Sequence, residues 1–152
     1  SWRRLSRIAP AAGPVGAPAL LRSVPIFAPL PAATIERLAS AVTQVRLVPG
    51  EQVFAEGDPG DRFYVIAAGE VQVVVAGRPA RALGPGESFG EIALLRDVPR
   101  TATVTASSET EALALEREDF IAVVTGHPAS AAAANSVIAA RLGALRPSAG
   151  LL

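Results

Sequence analysis

The 152-residue chain contains no cysteine and no lysine, and it has a single histidine. Without cysteine, disulfide frameworks and thiolate chemistry are excluded, and a lone histidine cannot assemble an ordinary zinc or iron site. Net charge is missing too, since fourteen arginines stand against fourteen acidic residues. The molecule as a whole therefore exerts no long-range attraction on nucleic acid or anionic lipid, and any anion site must be local. No apolar run approaches the ~20 residues needed to cross a bilayer, because arginine, proline or acidic residues interrupt each candidate. The opening also lacks the apolar core of a secretory signal. Together these absences predict a cytoplasmic protein with no cofactor and no metal. The all-arginine basic set and the abundant alanine, glycine and proline read as GC-rich coding bias and carry no function. The start at Ser1, without methionine, reads as that of a fragment cut from something longer.

Half of the residues are hydrophobic, enough for one domain with a proper core. Trp2, Arg3, Arg4 and Arg7 precede a Pro/Gly/Ala stretch, Ala9 to Ala19, without helical or strand period. Residues 1–22 are therefore expected to be a linker, with the folded domain at 23–146 and a tail at 147–152. Ile35, Leu38, Ala39 and Val42 fall on one face of a short helix after Pro31, with Phe27 and Leu30 beneath it. Between Val45 and Glu116 the period changes to two, and Gly/Pro clusters punctuate the chain, a pattern of short strands. Val71, Val73 and Val75 alternate with their neighbours, whereas Phe63 to Ala67 is apolar on both faces and reads as an inner strand. Strands this short and this frequent belong to a sandwich or jelly-roll barrel. Phe120, Val123 and Val124 then mark one helix, and a second runs from about Ala129 to Leu145, ended by Pro147. The expected fold is mainly β with flanking helices. It is a β-roll (a double-stranded β-helix jelly roll) with an N-terminal helix, a short phosphate-binding helix and two C-terminal helices.

The chemistry is concentrated between Gly84 and Ala102. Gly90 to Leu95 have the composition of one or two helical turns, whose first amides are unpaired and can face an anion. Gly90 lets the backbone come close to a ligand. Glu91 can accept hydrogen bonds from a ribose hydroxyl, and Arg100 offers a permanent charge and a planar fork of donors suited to two phosphate oxygens. Thr101 adds a hydroxyl donor. Each residue also has a plainer use. Gly84 and Gly86 suit turns, Glu91 suits the positive end of a short helix, Thr101 suits any strand, and Arg100 alone is often half of a surface ion pair.

The assembled string is more specific than its parts. Phe89-Gly90-Glu91-Ile92-Ala93-Leu94-Leu95 followed by Pro99-Arg100-Thr101-Ala102 resembles the phosphate-binding cassette of the cyclic nucleotide-binding domain family, the sensor shared by catabolite activator proteins, protein kinase regulatory subunits and nucleotide-gated channels. Upstream, Gly57-Asp58-Pro59-Gly60-Asp61, Tyr64-Val65-Ile66, Gly69 and Val71 resemble its strand-turn-strand pattern, so the similarity runs from about Pro25 to Leu145. The resemblance implies that Glu91 takes the ribose 2′-hydroxyl and that Gly90 offers backbone to the sugar-phosphate. It implies that Arg100 pairs with the exocyclic phosphate oxygens, helped by Thr101 and by backbone amides of Arg100-Thr101 or Ala93. In this family a threonine after the arginine is compatible with both cAMP and cGMP, and the lean is towards cAMP. Ile92 and Ala102 complete the expected ligand-contacting set.

On a helical wheel, Arg141 falls inside the apolar stripe of Val137, Ile138, Leu142 and Leu145. Its head either reaches a carboxylate while the stem packs along the core, or stacks on the purine as the helix closes over the pocket. Arg146 is the weaker candidate. The activator-type pattern places hydroxyl side chains further along this helix, and Leu145-Arg146-Pro147 do not supply them. His127 reads as a helix boundary residue, since catalysis by it would need a nucleophile or second base that is not found. The run Ala131 to Ala134 permits close helix packing, including a homodimer through the last helix. Three function classes follow. A regulatory, non-enzymatic sensor would pass nucleotide occupancy through its C-terminal helices to an effector domain outside the chain. A scaffold would keep the β-roll but have little nucleotide affinity. A cupin-like metalloenzyme is disfavoured by the single histidine. Direct binding to nucleic acid is also disfavoured, because nothing after residue 146 can form a helix-turn-helix. A membrane enters only through a longer parent, for which Trp2-Arg3-Arg4 to Arg7 could form the cytoplasmic edge of a preceding span.

Overall fold

The computed structural model describes residues 16–144. The basic opening from Trp2 to Arg7, the first part of the expected linker, the helix stop at Leu145 to Pro147 with Arg146, and the tail lie outside them. The described residues form α1 (Ala17–Arg22), α2 (Ala32–Ala41), β1 (Thr43–Leu47), β2 (Gln52–Phe54), β3 (Arg62–Ala68), β4 (Val71–Val75), β5 (Arg78–Leu83) and β6 (Ser88–Phe89). They continue with α3 (Glu91–Arg96), β7 (Thr103–Ala106), β8 (Thr110–Glu116), α4 (Arg117–Thr125) and α5 (Pro128–Ala144). The strands build two four-stranded antiparallel sheets, ordered β1-β8-β3-β6 and β2-β7-β4-β5. This is the expected β-roll with flanking helices. No helix among the described residues is long and apolar enough to cross a membrane.

β3 occupies an inner position, paired with β8 on one side and β6 on the other, which is why its run is apolar on both faces. Phe63 and Val65 face the helices, as do Leu113 and Leu115 of β8. Tyr64 and Ile66 face the interior of the roll with Ala114, as the strand period of two requires. On the helix side Phe63, Phe27 and Phe120 meet at centroid distances of 5.4, 6.1 and 4.4 Å. The predicted face of α2 is buried in the same cluster through Ile35, Leu38, Ala39 and the following Val42, with Phe27 and Leu30 alongside.

One expectation needs correction. The linker does not extend to residue 22, because residues 17–22 form α1, whose Ala17 and Leu21 are buried in the helix-side core. These two residues lie one helical turn apart and share a face. The turn is too short to show a period in the sequence, and its stability comes from packing against α2 and β3. At the other end, α5 begins one residue earlier than expected, and Ser130 at its start donates a buried 2.7 Å hydrogen bond to the Ile26 carbonyl. Ala131 and Ala134 pack against the chain's own core. His127 does sit at the helix boundary, with its ring nitrogen 2.9 Å from the Val123 carbonyl.

Candidate functional site

A cleft partly open to solvent lies inside the roll beneath α3 and α5. One wall is apolar, made by Val73 and Val75 of β4, Leu83 of β5 and Val104 of β7. The other carries Gly90, Glu91, Arg100 and Arg141. Val73 and Val75 of β4 are half-buried where they face this space.

Arg100 is held from both ends. Its amide donates to the Asp58 carbonyl at 2.7 Å, and its own carbonyl accepts from the Gly57 amide at 2.8 Å. This turn-to-cassette clasp explains the use of the Gly57-to-Asp61 segment, and it removes the Arg100 amide from the donors expected to face a ligand. The guanidinium turns inward and is only 2% exposed. Nη1 donates to the Gly90 carbonyl at 3.1 Å, Nη2 donates to the Arg62 carbonyl at 2.7 Å and to Asp61 Oδ1 at 3.2 Å, and the plane lies 3.9 Å from the centre of the Phe54 ring. Nε is buried and has no partner. Asp61 is a weak counterion, because its side chain is 69% exposed and well hydrated. Burial pushes the Arg100 pKa below its ordinary value, and the nearby Tyr64, Asp61 and Glu91 restore only part of the loss. The site thus contains a desolvated cation short of negative charge.

Gly90, just before α3, has φ of 100°, and an added Cβ would lie 3.0 Å from both Arg100 Nη1 and the Arg62 carbonyl oxygen. Only glycine satisfies the backbone angle and leaves the guanidinium its position. Glu91 follows as the first residue of α3 and is 1% exposed. Arg141 of α5 closes over it. Its Nη1 donates to both Glu91 carboxylate oxygens at 2.9 Å, and its Nη2 donates to the Ser88 carbonyl at 2.6 Å. Of the two uses foreseen for Arg141, the structure displays the first, and the carboxylate it reaches is the one expected to receive the sugar.

The expected residues Phe89, Ile92, Ala93 and Ala102 also line the cleft, together with Gly90, Glu91, Arg100 and Arg141. Thr101 does not. From Arg100 the chain alternates, so Arg100, Ala102 and Val104 line the cleft while Thr101 and Thr103 do not. Thr103 Oγ1 instead accepts the Glu56 amide at 3.0 Å. Several cleft-lining residues and one partner of Arg100 carried no role in the sequence reading. Asp61 stood in the quoted turn segment without a role. Phe54, Val73, Val75 and Arg81 enter through pairing of strands distant in sequence, although the alternation Arg81-Leu83 was visible.

Comparison with known proteins yields a family match. The family model described as "Cyclic nucleotide-binding domain" matches residues 44–127. The chain is 39% identical over 102 residues to a cAMP-dependent protein kinase regulatory subunit from Yarrowia lipolytica, covering 66% of this chain and 27% of that protein. It is 36% identical over 128 residues to a protein from Rhodopseudomonas palustris that carries a potassium-channel name, covering 82% of this chain and 31% of that one. Among solved structures, the catabolite activator protein of Thermus thermophilus superposes with a TM-score of 0.67 at 34% identity, over 78% of this chain and 58% of that chain. The chain therefore spans about a quarter to a third of the length of the curated relatives it matches.

Proposed function

This chain belongs to the cyclic nucleotide-binding domain family, and we propose from that premise that it is a regulatory sensor module whose cleft binds a cyclic purine nucleotide. One observation carries the reading: the Arg100 guanidinium is buried at the cleft wall with its Nε unpartnered among the described residues and its ion-paired carboxylate, Asp61, exposed to water. A buried donor left unmade costs about 1–3 kcal/mol, and a singly charged phosphate diester supplies the missing acceptor and charge together. In this reading Arg100 holds the cyclic phosphate, with Gly90 keeping the approach open and the backbone near Ala93 at the start of α3 facing the same group. Glu91 accepts the 2′-hydroxyl, and the apolar wall takes the base. cAMP is the ligand this reading starts from, favoured over cGMP, because the Yarrowia relative is cAMP-dependent by name. In this reading the module acts as a regulatory sensor and not as an enzyme.

The same carboxylate supplies the relay. Glu91 holds α5 through Arg141, so a sugar hydroxyl arriving at Glu91 alters the helix's hold on the cassette. An effector in a longer, cytoplasmic or membrane-attached parent reads the helix position. Pairing of two copies along the exposed Ala132 and Leu142 face of α5 is a second route. A nucleotide-independent scaffold has one observation in its favour, since Glu91 is already paired. Calorimetry and thermal shift with cAMP, cGMP and 5′-AMP separate the two. The sensor gives heat and a raised Tm with the cyclic forms and little with 5′-AMP; a folded sample silent to all three is a scaffold.

A further inference from the structure

The Arg100 guanidinium has an edge and a face, and different groups meet them. Around the edge stand the Gly90 and Arg62 carbonyls and Asp61, whereas over the face Phe54 puts its ring centre 3.9 Å from Cζ. Phe54 ends β2, where two steps along β2 answer one along β7, so that it stands opposite Val104. Such a register shift re-aims side chains, and Val53 and Phe54 both pack against the interior cluster of the roll. Two other rings hold Phe54 in turn, Tyr64 at 6.1 Å and Phe89 at 5.9 Å, and these stack on each other at 5.0 Å. Phe54 is half-buried and lines the cleft. It has a plain use as a packing residue. Its position over a buried cation gives it a second.

We propose that Phe54 sets the affinity of the cleft: its ring face balances the Arg100 charge while the cleft is empty, and an arriving phosphate takes over that task. The inference rests on the sensor reading of the same cleft. The hydrogen bonds around the edge already fix the plane of the guanidinium, and two of the three acceptors are backbone carbonyls without net charge. The third, Asp61, is exposed to water. What the desolvated cation still lacks is negative potential, which the face of an aromatic ring supplies through its quadrupole, most strongly where water is excluded. A phosphate at the free Nε brings a full negative charge to the same group, and the attraction between ring and cation falls as that charge is neutralised. Phe54 therefore stabilises the empty cleft more than the filled one. A contact that favours the empty state lowers the apparent affinity by its differential effect on the two states. Because it acts at the phosphate end, it acts alike on every cyclic nucleotide, whatever the base.

The test replaces Phe54 with mono-, di- and trifluorinated phenylalanine, which withdraw negative potential from the ring face stepwise at nearly constant shape. It measures Kd for cAMP and cGMP, and Tm of the empty and the saturated protein. The same series at Phe120, on the helix side, controls for fluorine itself and should leave Kd unchanged. At position 54 Kd should fall with each fluorine, about three- to fivefold over the series and equally for both ligands, while the empty protein loses more Tm than the saturated one. With Arg100→Gln the Tm trend of the empty protein should vanish, whereas a ring that merely packs leaves it in place. A Kd that is flat or rises along the series, a matching trend in Kd at Phe120, or a Tm trend that persists with Arg100→Gln overturns the assignment and leaves the sensor reading standing. A wild type that binds neither ligand overturns both.

Discussion

The helix-side core and the cleft inside the roll are built to different standards. On the helix side three phenylalanines pack at 4.4–6.1 Å between ring centres, and the buried Ser130 hydroxyl is satisfied by the Ile26 carbonyl. Inside the roll, beyond the packed Tyr64 and Ile66 of β3, residues of β4, β5 and β7 line a cleft with half-buried apolar walls, a buried carboxylate, a buried guanidinium and an orphaned nitrogen. A core that served stability alone would not keep a desolvated charge short of a partner. The contrast divides the molecule into a face that holds it together and a face that is completed by a ligand.

The largest effect should come from the helix side. Phe120→Ala removes a ring packed against two others and should lower unfolding free energy by about 3–5 kcal/mol, measured by denaturant titration. The remaining folded fraction should bind nucleotide normally, and a changed dissociation constant would blur the division. Arg100→Gln should do the converse. It should weaken cyclic-nucleotide binding by about 2–4 kcal/mol, roughly 30- to 1,000-fold, with a smaller loss of stability than Phe120→Ala. Saturating ligand sharpens the same point, since ~100 times the dissociation constant should add about 2.7 kcal/mol to wild-type stability. The same ligand concentration should add far less to Arg100→Gln.

Glu91→Gln comes next, at about 1–2 kcal/mol of binding. A 2′-deoxy ligand should lose affinity for the wild type and little more for this variant; fully additive losses would show that Glu91 does not meet the sugar. The smallest effect belongs to Val75→Ala in the apolar wall, which should cost about 1 kcal/mol or less of stability because the residue faces open space. A cost as large as that of Phe120→Ala would mean that the roll interior is an ordinary core.

Much of this division was legible along the chain, because periodicity is local. The inner strand β3, the buried face of α2, the two C-terminal helices and the cassette with Gly90, Glu91 and Arg100 follow from neighbours within a few residues of one another. Helix α1 was hidden because one turn is too short to show a period. Thr101 does not line the cleft although its neighbours Arg100 and Ala102 do, a distinction that composition alone does not carry.

The sequence alone determined the elements, the class of fold and the anion-seeking string, since each rests on the geometry of contiguous residues. Tertiary structure decided which groups meet. Glu91 finds Arg141 fifty residues away, Arg100 finds Asp61 thirty-nine residues away, and Arg81 reaches the cleft through the pairing of β5 with β4. Such meetings depend on sheet register and on the docking of α5. Both are set by the burial of whole faces against one another, which no local spacing encodes.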